Sequence, residues 1–139
     1  MEVNGSNVTV RVTRFAHNRA AAHGAAVRIA SGEIRIASTT MEHNSASAEG
    51  GALAVDGGNV TVRSSRIAHN RAARGAGARI ASGILNLVHT TVEDCHASAE
   101  GGALAVDGGE VLMANQSVLR RNGAPKSALA LVAAAARLQ

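Results

Sequence analysis

The thirteen residues ASAEGGALAVDGG occupy positions 46–58 and return, letter for letter, at positions 97–109. The copy extends well beyond these letters, because NVTVRVTRFAHNRAA at 7–21 returns as NVTVRSSRIAHNRAA at 59–73. A catalytic site joins unlike groups from different parts of a fold, whereas a stack of equivalent units needs like groups at equal intervals. The repeat therefore indicates a chain that is built from stacked units.

A shorter period lies inside the long one. The order Ser or Thr, any residue, an apolar residue, two further residues and Asn occurs in TRFAHN, TTMEHN, SRIAHN and SVLRRN, and TTVEDC is an imperfect fifth copy. The apolar positions of these motifs recur at nearly equal steps along the chain: Phe15, Met41, Ile67, Val92 and Leu119. The basic unit is thus roughly 26 residues long, which is within the range of solenoid repeats. Two alternating versions of this unit make the longer period.

Each unit contains three short runs in which apolar residues alternate with small or polar ones, such as ALAV at 52–55, VTV at 60–62 and SRI at 65–67. This alternation between turn residues is typical of half-buried strands, and it leaves no room for a helix between the strands of a unit. The sequence therefore predicts an all-β solenoid of about five coils of 25–27 residues, with three short strands in each coil. We expect residues 1–139 to form one domain, in which 132–139 are a short helical cap or tail.

Equivalent apolar residues of successive coils are expected to form columns in the interior of such a stack. One predicted column contains Val8, Ile34, Val60, Leu85 and Val111, and another contains Val10, Ile36, Val62, Leu87 and Met113. The apolar positions of the six-residue motifs make a third column. Aliphatic residues suit this interior because they pack like on like at the spacing of paired strands.

Two linked motifs connect these repeats with a known family. GGAL at 50–53 and 101–104, together with FAHN at 15–18, resembles the GGA(I/L/V) and FxxN repeats of the chlamydial polymorphic outer membrane proteins. The surface-exposed regions of that family are right-handed parallel β-helices of the pectin-lyase-like type. The resemblance implies a right-handed, single-stranded parallel β-helix and, among functions, a surface-exposed adhesin-like fragment. GAAV at 24–27 and GAGA at 75–78 depart from the first motif.

The chain carries a formal net charge of +4. Nucleic-acid binding is not expected, because basic residues are interleaved with acidic ones and no aromatic platform for stacking bases exists. On the third strand, Arg14 and Arg66 alternate in coil order with Glu42 and Glu93, so neighbouring coils should attract each other. We predict that this surface is an interaction face, which also contains His17, His43 and His69.

The remaining repeated polar residues are interpreted as structural. The asparagines of the motifs should form a hydrogen-bonded column, which comprises Asn18, Asn44, Asn70 and Asn122. Glycines should allow sharp corners of the coil: Gly50, Gly51, Gly57, Gly58, Gly101, Gly102, Gly108 and Gly109. Cys95 replaces one asparagine and is predicted to be a buried structural cysteine.

Two arrangements would carry chemistry, and each has a simpler explanation. A row of stacked imidazoles at His17, His43 and His69 would bind a metal, or it would be a half-exposed ladder without one. Asp56 and Asp107 would be the carboxyl pair of an inverting glycosidase, or they would initiate the tight turns that Asp-Gly-Gly favours. The simpler explanation is preferred in both cases. The sequence thus predicts no enzyme, no catalytic or metal-binding residues and no cofactor.

The predicted function is that of a non-catalytic structural or binding module, a scaffold or accessory subunit that acts through protein–protein contacts. A carbohydrate-binding or polysaccharide-cleaving β-helix is the alternative from another class. We expect a protein partner or self-association at the open N-terminal coil, where strand edges are unpaired. The sequence predicts neither a signal peptide nor a transmembrane segment, and docking on a membrane-associated complex stays open. Two locations fit: extracellular or cell surface for a fragment, otherwise organellar or complex-associated.

Overall fold

The structure is a computed structural model that describes residues 1–125, 129–131 and 136–138. The described chain contains strands and no helix, and every strand pairs in parallel with the equivalent strand of a neighbouring coil. Val8 pairs with Ile34, and Ile34 pairs with Val60, so each coil corresponds to one short repeat of the sequence. The predicted parallel β-solenoid of about five coils is therefore confirmed.

The strands are numbered along the chain. The first coil contains β1 (Glu2–Val3), β2 (Ser6–Arg11), β3 (Arg14–Ala16) and β4 (Arg19–Ala20). The second contains β5 (Val27–Ile29), β6 (Gly32–Ala37), β7 (Thr40–Glu42) and β8 (Ser45–Ala46). The third contains β9 (Leu53–Val55), β10 (Asn59–Arg63), β11 (Arg66–Ala68) and β12 (Arg71–Arg74). The fourth contains β13 (Ala78–Ile80), β14 (Ile84–Val88), β15 (Thr91–Glu93) and β16 (His96–Glu100). The fifth contains β17 (Leu104–Val106), β18 (Glu110–Ala114) and β19 (Val118–Arg120), and β20 (Leu129–Leu131) and β21 (Ala136–Leu138) follow.

Four parallel sheets run along the stack. Sheet A consists of the first strand of each coil and β20, and sheet B consists of the second strand of each coil and β21. Sheet C consists of the third strands, β3, β7, β11, β15 and β19, and sheet D consists of the fourth strands, β4, β8, β12 and β16. The outer faces of these sheets carry the charged side chains that are described below.

The predicted apolar columns form the core. Pairing in register joins each residue of a column to the equivalent residue of the next coil. In the third column the core residues Met41, Ile67 and Val92 are fully buried. Large apolar residues at the inward positions thus exclude water along the axis of the stack, which is the main favourable contribution to its stability.

The coil has one strand more than the sequence predicted. Three strands per coil were expected, but β4, β8, β12 and β16 add the fourth sheet. These segments are short and consist largely of alanine, serine and charged residues, so they lack the alternation of apolar and polar side chains that identifies a strand. Backbone pairing with the adjacent coils, rather than a side-chain pattern, makes them extended.

The prediction of a helical cap at 132–139 was wrong for the part of it that the structure describes. Ala136–Leu138 forms β21 and pairs with β18, while 132–135 and 139 lie outside the described residues. Alanine favours a helix, but the open edge of β18 offers a row of backbone donors and acceptors. Pairing at this edge extends sheet B by one strand.

The first coil lies at the outer end of every sheet. In β1 to β4, one side of each strand pairs with the second coil, and the other side has no partner strand in the described chain. Val8, Val10 and Phe15 are only partly buried, whereas the residues that pair with them, among them Met41, are buried. Backbone groups and part of the apolar columns are therefore accessible at this end.

Candidate functional site

The predicted asparagine column forms a hydrogen-bonded ladder at the turn between sheets C and D. The backbone N–H of Asn18 donates to Oδ1 of Asn44 at 3.0 Å, and that of Asn44 donates to Oδ1 of Asn70 at 2.9 Å. The side-chain amides continue the ladder, because Nδ2 of Asn44 donates to Oδ1 of Asn70 at 3.0 Å. Asn44 and Asn70 are fully buried, so the ladder satisfies polar groups that water does not reach.

Cys95 weakens this ladder at its fourth position. Its backbone N–H donates to Oδ1 of Asn122 at 3.0 Å, as an asparagine in this position would. Its side chain is a poor substitute, because Sγ lies 3.8 Å from Nδ2 of Asn70 and 3.9 Å from the carbonyl oxygen of Ile67. Burial raises the pKa of the Cys95 thiol to about 11. The thiol is therefore neutral at physiological pH, which disfavours a role as a nucleophile.

A second polar column explains the Ser or Thr that opens each six-residue motif. The backbone N–H of Thr39 donates to Oγ of Ser65 at 3.1 Å, and that of Thr90 donates to Oγ of Ser117 at 3.1 Å. Thr39, Ser65 and Thr90 are buried at the turn between sheets B and C. The motif thus marks the two ends of sheet C, with a hydroxyl at one end and an amide at the other.

The predicted glycines lie at corners of the coil. Four of them have φ between 65° and 82°, a conformation that favours glycine: Gly50, Gly58, Gly101 and Gly109. At the other four, a Cβ would lie within 2.8 Å of a carbonyl oxygen of a neighbouring coil: Gly51, Gly57, Gly102 and Gly108. The repeated Gly-Gly pairs therefore serve two requirements, a left-handed backbone and close contact between coils.

The charges on the outer face of sheet C alternate along the stack. Nε of Arg14 donates to Oε1 of Glu42 at 2.6 Å, and Nε of Arg66 donates to Oε1 of Glu93 at 2.6 Å. Arg66 also lies 3.9 Å from Glu42 on its other side. The structure thus brings these four residues into one row in which each charge faces the opposite charge of the next coil.

Glu93 is the most enclosed carboxylate of this row, since the residue is only 2% exposed. Besides Arg66, it accepts hydrogen bonds from Nε of Arg120 at 2.6 Å and from Nη2 of Arg121 at 3.0 Å. The hydrogen bond from Arg120 is the main cause that lowers the pKa of Glu93, and Arg66 adds to it. Likewise, the hydrogen bond from Arg14 lowers the pKa of Glu42. Both carboxylates are therefore ionised well below neutral pH.

A second charged row, which was not predicted from the sequence, lies at the corner between sheets D and A. His23, Glu49, Arg74 and Glu100 occupy equivalent positions of successive coils. Nε of Arg74 donates to Oε1 of Glu100 at 2.7 Å, and Nη1 donates to Oε1 of Glu49 at 3.0 Å. The signal was available, because Glu49, Arg74 and Glu100 recur with the same short period as the row that the sequence revealed.

Asp56 and Asp107, the candidate catalytic pair, belong to the same network of ion pairs. Asp56 accepts a hydrogen bond from Nε of Arg28 at 2.9 Å, and Asp107 accepts one from Nε of Arg79 at 3.0 Å. Arg79 lies between them, since its Nη1 is 3.4 Å from Asp56. Hydrogen bonds from Arg74 and then Arg79 lower the pKa of Asp107. A general acid for glycoside hydrolysis needs the opposite, a raised pKa.

The three predicted histidines form a stacked row. The rings of His17 and His43 are 5.1 Å apart and inclined by 3°, and those of His43 and His69 are 5.0 Å apart and inclined by 9°. Ring nitrogens direct their lone pairs within the ring plane, so parallel rings do not converge on one ion. In the described part of the chain, no group of three or more His, Cys, Asp or Glu residues has the arrangement of a metal site.

Arginines without an acidic partner are the feature that remains after these pairs are assigned. Among the side chains that the structure describes, arginines pair with nine acidic residues: Glu2, Glu33, Glu42, Glu49, Asp56, Glu93, Asp94, Glu100 and Asp107. Among the arginines whose side chains the structure describes, four make no ion pair or hydrogen bond through the side chain: Arg11, Arg19, Arg63 and Arg71. All four are exposed.

These four arginines have regular positions. Arg11 and Arg63 flank Ala37 in register on sheet B, and Arg19 and Arg71 flank Ser45 in register on sheet D. The two members of each pair are thus two coils apart. Sheet C lies between sheets B and D along the coil. We call the outer surface that contains the two arginine pairs and the row of stacked histidines the basic face.

No family model, curated protein or solved structure matches this chain. The resemblance of the GGAL and FAHN motifs to polymorphic outer membrane protein repeats therefore stays a prediction. Over the residues that the structure describes, no helix has the length and hydropathy needed to cross a membrane.

Proposed function

We propose that this β-solenoid is a non-catalytic structural and binding module that acts through protein–protein contacts, as a scaffold or accessory subunit of a larger assembly. The observation that carries this proposal is the basic face. In the part of the chain that the structure describes, nine acidic residues pair with arginines, whereas Arg11, Arg19, Arg63 and Arg71 are exposed without an acidic partner. Charges that a molecule does not use for its own stability are available to a partner, and they steer its approach.

The scaffold supports this role because it holds the arginines at fixed intervals. Arg19 and Arg71 belong to β4 and β12, which both pair with β8, so one strand lies between them. Their backbones are therefore two strand spacings apart, roughly 10 Å. A binding surface on such a frame loses little backbone entropy when a partner binds, and this favours affinity.

The accessible edge of the first coil is proposed as a second contact surface. β1 to β4 present unpaired backbone groups there, and Val8, Val10 and Phe15 are partly exposed. Strands of a further coil, from a second copy of this chain or from a partner, would satisfy these groups. Sedimentation of the full chain tests this part: concentration-dependent association at tens of micromolar is expected, and a single monomeric species would contradict it.

The environment of Asp56 and Asp107 favours a non-catalytic role. Both carboxylates are engaged by arginines, and the lowered pKa of Asp107 opposes proton donation to a leaving group. The double variant Asp56→Asn, Asp107→Asn should therefore retain the binding function. Cleavage of a polysaccharide by the wild-type chain, lost in the folded double variant, would replace our proposal by the carbohydrate-enzyme alternative.

The binding role is tested by photo-crosslinking in an extract of the native source. A photoreactive residue in place of Ser47, which is exposed beside the Arg19–Arg71 pair, should form an adduct with one defined protein. The same residue in place of Asn59, which is exposed at the opposite end of β10 from Arg63, is the matched control. Arg19→Ala together with Arg71→Ala should abolish the adduct. Equal adducts from both positions, or none from either, would refute the basic face as the contact surface.

A further inference from the structure

The outer face of sheet B contains a groove of about 320 Å³ in the first three coils. Arginines alternate with smaller residues in the two adjacent columns that line the groove. One column contains Arg11, Ala37 and Arg63, and the other contains Thr9, Arg35 and Thr61. Ala37 is the smallest of these side chains and lies between the two arginines of its column. The space above Ala37 therefore lies between two positive charges.

The positive charge of the groove is only partly neutralised by acidic residues of the described chain. Arg35 pairs with Glu33 on its own strand. Arg11 and Arg63 have no side-chain partner in the described chain. Their backbones are separated by two strand spacings, roughly 10 Å, so two guanidinium groups can approach one anion above Ala37 from opposite sides. The planar fork of each guanidinium matches the two oxygens of a carboxylate.

Val12 adds an apolar element next to Arg11. It is 83% exposed, and its φ is 48°. A β-branched residue is strained in this left-handed conformation, and the equivalent positions of the next two coils are Ser38 and Ser64. A residue that is both strained and exposed contributes little to the stability of the fold. We therefore expect Val12 to contact another molecule.

We propose that this groove binds an extended acidic segment of a partner protein, with a carboxylate above Ala37 between Arg11 and Arg63 and an apolar side chain on Val12. This inference rests on the proposed function and specifies the chemistry of the partner. The combination of an aliphatic contact with two guanidinium forks favours a peptide over a sulfated glycan or a nucleic acid. Nucleic acids also bind through stacking on Phe, Tyr or Trp, and the chain has no Tyr or Trp and one Phe, Phe15, which packs against the core.

The test measures the affinity of the full chain for a fluorescent ten-residue peptide that contains only Glu and Leu, by fluorescence anisotropy. Arg11→Ala together with Arg63→Ala should weaken binding about a hundredfold, because each of the two charge-assisted contacts is worth about tenfold. Val12→Asn should weaken it about threefold to tenfold. The variant Asn59→Asp, Gln116→Glu lowers the net charge by the same two units at exposed positions outside the groove and should leave the affinity within about twofold. None of these side chains has an ion pair or hydrogen bond to lose, and unchanged circular dichroism of each variant confirms the fold.

Three results would overturn the proposal. Equal losses in the two double variants would show that net charge, rather than the groove, attracts the peptide. A peptide of Glu and Ser that binds as tightly as the Glu–Leu peptide would remove the apolar contact at Val12. Tighter binding of a heparin oligosaccharide or of a DNA oligonucleotide of equal charge would assign the groove to another class of ligand. Each of these results leaves crosslinking at position 47 intact, so failure of the groove is distinguishable from failure of the proposed function.

Discussion

Replacement of Cys95 by Asn should stabilise the protein, because it repairs the one imperfect position in the asparagine ladder. At intact positions the Oδ1 atom accepts a backbone N–H from the preceding coil, as Asn70 does for Asn44 at 2.9 Å. The Nδ2 atom donates to a carbonyl oxygen of that coil, as Asn70 does for Met41 at 3.0 Å. At Cys95 both roles fall to a sulfur, which is a weak acceptor and a weak donor.

The expected gain follows from the contacts that Asn would add. Its Oδ1 would accept from the backbone N–H and Nδ2 of Asn70, and its Nδ2 would donate to the carbonyl oxygen of Ile67, which now lies 3.9 Å from Sγ of Cys95. If the restored acceptor and the restored donor each contribute about 0.5–1.5 kcal/mol, then the net gain after loss of the well-packed thiol is about 1–2 kcal/mol. For a chain of this length the melting temperature should rise by about 3–8 °C.

Unfolding in urea, followed by far-ultraviolet circular dichroism with a reductant present, measures this difference. Cys95→Ser is the matched control, because its hydroxyl is polar but too short to reach both partners. If the ladder determines stability here, then the Cys95→Asn variant is more stable than the wild type and the Cys95→Ser variant is not. If Asn gives no gain, or if Ser gives the same gain, then the hydrogen bonds of the column do not determine stability at this position.

Three further perturbations test other parts of the structure, each by its unfolding midpoint in urea. Asn44→Leu should cost about 1–3 kcal/mol, because the partly buried N–H of Asn18 in the first coil loses its acceptor, and an unchanged midpoint would contradict the ladder. Val12→Asn should raise the free energy of unfolding by about 1 kcal/mol, since asparagine tolerates the φ of 48°. A loss of stability would show that Val12 makes a stabilising contact. Glu93→Gln should cost about 1.5–3 kcal/mol at pH 7. Because the folded pKa of Glu93 is lowered, its ionised form stabilises the fold above the unfolded value of about 4.3, and this contribution is lost as the pH falls through the folded pKa. The difference between wild type and Glu93→Gln should therefore vanish in acid, and a constant difference down to pH 3 would contradict the assignment.

The interior of the stack could be predicted from the sequence because one rule determines it. The short period of the sequence places Val8 over Ile34 and Phe15 over Met41, and the registers of sheets B and C agree with that period. Inward positions within the strands require apolar residues, so the recurrence of these residues with the short period can be recognised in the sequence. The ends of sheet C could be located for the same reason, since a buried turn needs a fixed hydroxyl or amide.

Sheet D could not be predicted in this way, and for the charged corner the sequence shows the recurrence of Glu49, Arg74 and Glu100 but not which of their side chains pair. β8 contains only Ser45 and Ala46, and its extended conformation depends on pairing with β4 and β12 rather than on its own side chains. The partners of Arg74 belong to three coils, and which acids it reaches depends on the distance between neighbouring corners. At the C-terminal side, the alanine-rich composition favoured a helix, whereas the open edge of β18 favoured Ala136–Leu138 as a strand.

Arginines that lie two coils apart can pair with a residue of the coil between them or with a partner. The variant Ala37→Glu tests whether the first pairing prevents the second. On sheet C, Glu42 lies between Arg14 and Arg66 and neutralises both. Glu42 reaches these arginines from two residues along its strand, because Thr40 is the residue in register with both. On sheet B, Ala37 lies in register between Arg11 and Arg63 and carries no charge.

A glutamate at position 37 should therefore pair with both arginines and stabilise the exposed face by about 0.2–1 kcal/mol. The same pairing would occupy the groove with a carboxylate of the chain itself, so affinity for the acidic peptide should fall at least as far as in the Arg11→Ala, Arg63→Ala variant. Ala37→Gln, which has the same shape without the charge, should change neither quantity by much. Higher stability with unchanged peptide binding would show that the peptide does not use these arginines. Loss of binding in both the Glu and the Gln variant would show that bulk above Ala37, rather than charge, excludes the peptide.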